Sequence, residues 1–410
     1  MQALTNVRDP MLDRYHKGKV TRRKVELTRS TSNAEHRSGP AEETMRASHE
    51  TLPPGQGFGS ISGYVLKLLR EAADLTQSRL AELLRVDTTT VSGWESGRRS
   101  LASVRAGDLA RLRALLTRHG APPDAVALLA AAMDADLIVG DILTATDSHD
   151  LAAHPLASGV HQRTLASLIT WPINGIAPPP LAGLAARRGR GPRPNAPQIS
   201  AELRRDFFDR LRATADRAHR PADILLRRQA TYLLGFDQHP DSETWITGQA
   251  MRRLHTSPHD AAPARLAVRS AAITLASHGD PDPLRHYVSQ LADDHSQQLT
   301  NLLYWAYWVG EIGNVTYPDD TTMVAIDPHS WTGRTLLLHL TRQIEPGTDH
   351  IDLYIRTLAD LISSHPHLLD EPVLRTRTMA AVDLIDGDPA LTIPARRTLD
   401  NVGYAVRLRR

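Results

Sequence analysis

Between residues 61 and 97 the apolar side chains recur at helical spacing in three runs, each too short to be stable alone and separated from the next by a short break. Ile61, Val65, Leu68, Leu69 and Ala72 share one face of a first helix, which Ala73, Asp74 and Leu75 interrupt. Thr76 is placed to cap a second helix holding Leu80, Ala81 and Leu84. Asp87 is placed to cap a third, with Val91 and Trp94 as its buried positions and Gly97 just past its end. Three short helices joined by tight turns can bury their faces only against one another and against the next helices of the chain.

The rest of the chain also reads as helical, so the expected fold class is all-α. Residues 101–116 carry one or two amphipathic helices, and Pro122-Pro123-Asp124 opens another that runs to about residue 143. A shorter helix over 162–169 is expected to stop at Trp171-Pro172, and Pro178-Pro179-Pro180 to be extended. Helical segments follow at 225–236, 264–278, 283–293, 298–312, 351–365 and 372–385. Several of them place Arg before Ala-rich apolar turns, as HEAT- or TPR-like pairs do, but their spacing is uneven, so helical repeats and an irregular bundle both remain open. Residues 315–327 read as β-like. The expected division is a tail over 1–59, a small helical domain over 60–120, a helical connector over 121–186, an Arg/Gly/Pro linker over 187–198 and a larger helical domain over 199–410.

Composition removes several chemistries. The chain has no cysteine, hence no disulfide, thiol nucleophile or thiolate-bound zinc. Its lysines, Lys17, Lys19, Lys24 and Lys67, are never followed by Ser or Thr, so no P-loop exists. The most apolar stretch, 126–139, is broken by Asp134 and Asp136 and is too short to span a bilayer, and the amino terminus lacks the apolar stretch of a secretory signal. A cytoplasmic protein without a membrane partner is expected. The net charge of +2 conceals a gradient: ten basic and seven acidic side chains over 1–59, ten and six over 60–120, twenty-eight and thirty-three over 121–410. A polyanion would meet the amino-terminal part.

Residues 68–99, LLREAADLTQSRLAELLRVDTTTVSGWESGRR, resemble the phage-repressor-like helix-turn-helix family, often called the Xre family. The matching residues are Arg70, Leu75-Thr76-Gln77, Leu80-Ala81, Val86, Val91-Ser92, Trp94-Glu95 and Gly97, and the likeness covers residues 61–120. It implies a transcriptional regulator whose third helix enters the major groove. With Val91 and Trp94 inward, Thr88, Thr89, Ser92 and Gly93 face the bases, with Thr90 beside them; hydroxyls and methyls suit single hydrogen bonds and thymine contact. Gln77 would hold a phosphate at the start of the second helix, and Arg98 and Arg99 the flanking backbone. The family pairs the Arg70 and Glu95 positions, which makes these residues, with Val91 and Trp94, structural. Two departures stand out. Arg85 occupies a turn position where Gly is usual, and Gly93 occupies one where a long polar reader is usual, which shifts readout toward DNA shape.

Other constellations are weaker. His365 with His367, and His255 with His259, lack any accompanying metal-site pattern and read as solvated surface histidines. No nucleophile elbow occurs, and Gly57-Phe58-Gly59 lacks the strand of a dinucleotide site, so neither a catalytic residue nor a cofactor is expected. Arg187, Arg188, Arg190 and Arg193 read as a solvated linker or a DNA-phosphate contact, and Tyr304, Trp305, Tyr307 and Trp308 as core or as a ligand pocket. The expected function is sequence-specific binding of double-stranded DNA at a pseudo-palindromic operator. A homodimer is expected to bind it, with the larger helical domain dimerising or sensing a small-molecule or peptide effector. The alternative is an interaction scaffold or antitoxin-like adaptor whose helical domain binds a protein.

Overall fold

The computed structural model describes residues 58–144, 151, 154–186, 194–254, 262–313, 317, 320–348 and 350–409. Among the described residues every regular element is helical, as expected. The amino-terminal trio is α1 (Ser60–Ala72), α2 (Gln77–Leu84) and α3 (Thr88–Glu95). Thr76 caps α2, its hydroxyl accepting the Arg79 N–H at 3.1 Å. Asp87 occupies the capping position of α3, but its carboxylate makes no capping hydrogen bond. The turn between α2 and α3 is left-handed at Arg85 (φ 57°, ψ 45°), a conformation that costs a non-glycine residue about 1–2 kcal/mol. Asp74 makes the same concession between α1 and α2 (φ 53°), and Gly97 (φ 74°) ends the unit without it.

A single 3-10 turn, Leu101–Ser103, leads into α4 (Ala106–Arg118), and α5 (Pro123–Thr144) comes next. Helix α5 runs beside α1 and fixes the trio to the remainder of the chain. Its Asp136, 1% exposed, accepts the backbone N–H groups of Ile61 and Ser62, both at 2.9 Å. A carboxylate from one helix therefore satisfies the otherwise orphaned donors at the positive end of another. On its opposite side α1 touches α3 backbone to backbone. A Cβ at Gly63 would stand 2.3 Å from the Trp94 carbonyl oxygen, so this crossing accepts only glycine.

Helices α6 (Arg163–Asn174) and α7 (Pro179–Ala185) complete the support behind α1. Both differ from expectation. Pro172 lies inside α6, which continues to a left-handed Gly175, and Pro179 and Pro180 form the first turn of α7, where a missing N–H costs nothing. Phe58 and Gly59, assigned to the tail, belong to the folded unit: Phe58 is buried, and Gly59 sits at the amino-terminal cap of α1. The rest of the tail and residues 187–193 of the linker lie outside the described residues. The linker's later part is packed, since the Pro194 carbonyl accepts the Tyr64 hydroxyl and Ala196 is buried.

The larger part comprises α8 (Ala201–Arg217), α9 (Ile224–Leu234), α10 (Pro240–Leu254), α11 (Ala262–His278), α12 (Asp282–Asp293), α13 (His295–Trp308), α14 (Asp320–Val324), α15 (Arg334–Gln343), α16 (Ile351–Ser364), α17 (Pro372–Ile385) and α18 (Ile393–Leu408). Within the stretch 315–327 expected to be β-like, Asp320–Val324 forms helix α14. One apolar core extends from Phe58 to Leu275 and a second from Ala272 to Val406, so the two meet on α11.

Burial pushes the Asp136 carboxyl up to about 7, against the lowering effect of the Ser62 hydroxyl and the Ser62 and Ile61 N–H groups. The folded state therefore takes up a proton that the unfolded chain releases near pH 4. Stability contributed by this group is fully present below about pH 4 and is lost as pH rises toward 7. In denaturant titrations at pH 5 and pH 7.5, Asp136→Asn is expected to reduce the fall in unfolding free energy that the parent protein shows, and an unchanged fall would assign it to other groups.

Candidate nucleic-acid interface

The geometry of the amino-terminal unit is set by a polar knot under α3. Arg70 on α1 donates through Nε and Nη2 to the two oxygens of Glu95 on α3, the latter at 3.0 Å, and through Nη1 to the Leu75 carbonyl at 2.7 Å. Gln77, the first residue of α2, donates its side-chain amide to Glu95 at 2.7 Å. All three helices thus converge on one carboxylate whose side chain is 4% exposed. Arg70 and Glu95, the positions paired in the family that the sequence resembles, form an ion pair, and it is bidentate. One donor of the Gln77 amide, expected to hold a phosphate, is used inside the protein.

Val91 and Trp94 are buried, which turns the opposite side of α3 outward. Thr88 and Thr89 are exposed and Ser92 is half-buried beside them. Gly93 is a correction: it is buried and does not face outward. The stem of Arg99 lies over it, and a Cβ there would sit 3.1 Å from Arg99 Cδ. Arg99 then donates to the Thr90 hydroxyl at 3.0 Å, which draws Thr90 out of the outward set. The absent side chain at residue 93 is therefore a seat for an arginine. Arg98 is exposed, its Nε 3.1 Å from the Ser96 hydroxyl.

Beside α3 runs a groove of about 740 Å³ between it and α4, with Trp94, Val86 and Leu112 among its apolar lining. Arg85, Arg98, Arg99, Arg105 and Arg111 line it, against the single carboxylate of Asp108. All five arginines are exposed. Sequence reasoning missed Arg85, Arg105 and Arg111 as a group. Only the basic excess over residues 60–120 pointed to them, because their positions are not periodic along the chain.

The remaining residues singled out in the sequence do not join this surface. Arg187, Arg188, Arg190, Arg193, His255 and His259 lie outside the described residues. Tyr304, Trp305, Tyr307 and Trp308 are buried in the larger part of the chain. His365 is also buried, 1% exposed, with Nε2 3.0 Å from the Pro328 carbonyl and its ring 4.4 Å from that of Trp331, which corrects its reading as a solvated histidine. Among the described residues no cluster of histidines and carboxylates could hold a metal, and no helix is long and apolar enough to cross a membrane.

A family model described as a helix-turn-helix domain matches residues 63–129, from within α1 to within α5. Neither a curated protein nor a solved structure matches the chain. The matched span contains the polar knot, α3 and the arginine-lined groove, and it includes the first turns of the helix that supports them.

Removing the Glu95 carboxylate strands the Arg70 guanidinium, which is 8% exposed. Glu95→Ala is expected to destabilise the protein by about 3–5 kcal/mol, the usual penalty for one half of a buried pair. Equilibrium unfolding by circular dichroism measures this loss, and a change below about 1 kcal/mol would show that the pair is dispensable.

Proposed function

We propose that the protein is a sequence-specific DNA-binding transcriptional regulator of the phage-repressor-like (Xre) kind, acting in the cytoplasm without a catalytic step. The observation that carries this reading is the combination of an outward, uncharged α3 face with a rim of arginines around it. Helix α3 would lie in the major groove, with Thr88, Thr89 and Ser92 against base edges and thymine methyls. Arg85, Arg98, Arg99, Arg105 and Arg111 would meet the phosphates and supply the larger, salt-dependent part of the affinity. With few bidentate readers on α3, sequence preference leans on DNA shape. A homodimer would present two such faces to half-sites roughly 34 Å apart on a pseudo-palindromic operator. The larger helical part would dimerise or receive a small-molecule or peptide effector.

A second reading, an interaction scaffold or antitoxin-like adaptor, is favoured by one observation. Val373, Ile393, Tyr404 and Leu408 on α17 and α18 are 62%, 71%, 62% and 65% exposed, an unusual display of large apolar side chains.

Operators selected from random-sequence duplexes test the first reading. Thr88→Ala with Thr89→Ala is expected to weaken the selected site by about 1–3 kcal/mol per lost contact while leaving unrelated duplex binding unchanged. Arg105→Ala or Arg111→Ala is expected to weaken all duplexes alike and to lower the salt-dependence slope by about one. Operator affinity that ignores the threonine pair, or recovery of a stoichiometric protein partner with no enriched DNA, would favour the scaffold.

A further inference from the structure

The two apolar cores adjoin a small third one, formed by Ala166, Leu266, Tyr304, Tyr307, Trp308 and Met323. Buried charge gathers at this seam. Arg228 on α9 is 3% exposed, Arg269 on α11 and Asp320 on α14 are wholly buried, and His161 is 1% exposed. Arg228 donates through Nη1 to Asp320 Oδ2, and His161 Nε2 stands 3.2 Å from Asp320 Oδ1. Burial alone would push the Asp320 carboxyl up, but Arg228 and His161 together hold it below the usual carboxylate range. This carboxylate is therefore an anion matched to Arg228.

Arg269 has no such match. Among the described residues no carboxylate lies within ion-pair distance of it; its Nε donates to the Asn301 side chain at 2.9 Å, and Asn301 in turn donates to the Thr357 hydroxyl at 3.0 Å. Both terminal nitrogens, Nη1 and Nη2, are buried without a hydrogen-bond acceptor, as is Nη2 of Arg228. The guanidinium carbon of Arg269 sits 4.6 Å from the Tyr304 ring centre and 5.0 Å from that of Trp305, and that of Arg228 sits 5.6 Å from Tyr304. The aromatic faces stabilise the cations but accept no conventional hydrogen bond from these nitrogens. A wholly buried guanidinium with two unsatisfied donors is costly unless an acceptor reaches it.

We propose that Arg269, with Arg228 beside it around the Tyr304 ring, is a binding site for the carboxylate of a small organic effector. The parallel Nη1 and Nη2 donors fit the two oxygens of one carboxylate. The seam carries an excess of positive charge that favours an anion: Arg228 and Arg269, with Arg163 over the neighbouring Tyr307 ring, stand against the single carboxylate of Asp320. The Tyr304 and Trp305 rings beside the guanidiniums suit an apolar body attached to such a group. Elements from both sides of the seam contribute, α9 packing in the first core and α13 in the second, so occupancy bears on how the two halves meet. The site uses no DNA-contacting residue, and binding is measured without DNA, so its failure and that of the DNA-binding reading are distinguishable.

The test uses the full chain with sodium acetate, sodium benzoate, sodium phosphate and sodium chloride at constant ionic strength, with melting midpoint and tryptophan emission as readouts. Acetate or benzoate is expected to raise the midpoint saturably, by roughly 1–3 °C at ten times its Kd, and to alter the emission through Trp305. Arg269→Gln is expected to weaken this response at least tenfold. Should that variant not fold, Trp305→Phe in the otherwise unchanged protein is expected to keep the midpoint rise and lose the emission change. The proposal is overturned by the absence of a saturable response, by an equal response to phosphate or chloride, by undiminished binding in Arg269→Gln, or by an emission change that persists in Trp305→Phe.

Discussion

The Arg70–Glu95 pair, with Gln77 as a third member, is the contact on which the outward face of α3 depends. Helices α1, α2 and α3 are each too short to persist alone, and they share one apolar core. A bidentate charge pair supplies direction where apolar packing supplies only attraction. Because Glu95 lies in the last turn of α3 and Gln77 in the first turn of α2, the knot sets the rotation of α3 about its own axis. That rotation determines which hydroxyls face outward.

The mounting of this unit depends on two further contacts. Asp136 takes the first free N–H groups of α1 into a buried carboxylate, and Gly63 lets α1 touch the carboxyl-terminal end of α3 without an intervening side chain. Helix α1 is thus held at one end by α5 and along one side by α3. The groove between α3 and α4 inherits its shape from this arrangement, which lets scattered arginines form a common basic wall. Rigid mounting of this kind fixes the outward face of α3 relative to the rest of the chain.

Much of the amino-terminal unit was legible in the sequence. The helical period, the Thr76 cap, the turn at Arg85 and the inward Val91 and Trp94 all express local rules, each involving residues within about one turn of each other. Gly93 was misread because local rules say what a missing side chain cannot contact and nothing about what fills its space. Arg99 fills it from six residues downstream. The larger part was legible as helical segments but not as an assembly. Helix α14 lies in a stretch that reads as β-like because Val, Thr and Tyr in a short run favour strands, and over Asp320–Val324 that preference yields where burial and the pairing of Asp320 with Arg228 hold about one helical turn.

The sequence by itself determined the all-helical class, the position of the helix-turn-helix and the placement of positive charge over it, since periodicity, capping and composition act through near neighbours. Asp136 already broke an apolar run there, yet its role could not be read, because its partners are 74 and 75 residues away. Only the tertiary structure decided that this carboxylate anchors α1, that Arg85, Arg105 and Arg111 share one groove, and that Arg269 lies buried between two cores. The reason is physical: the free energy of a buried charge depends on which groups the fold brings within hydrogen-bonding distance, and that distance is not a function of separation along the chain.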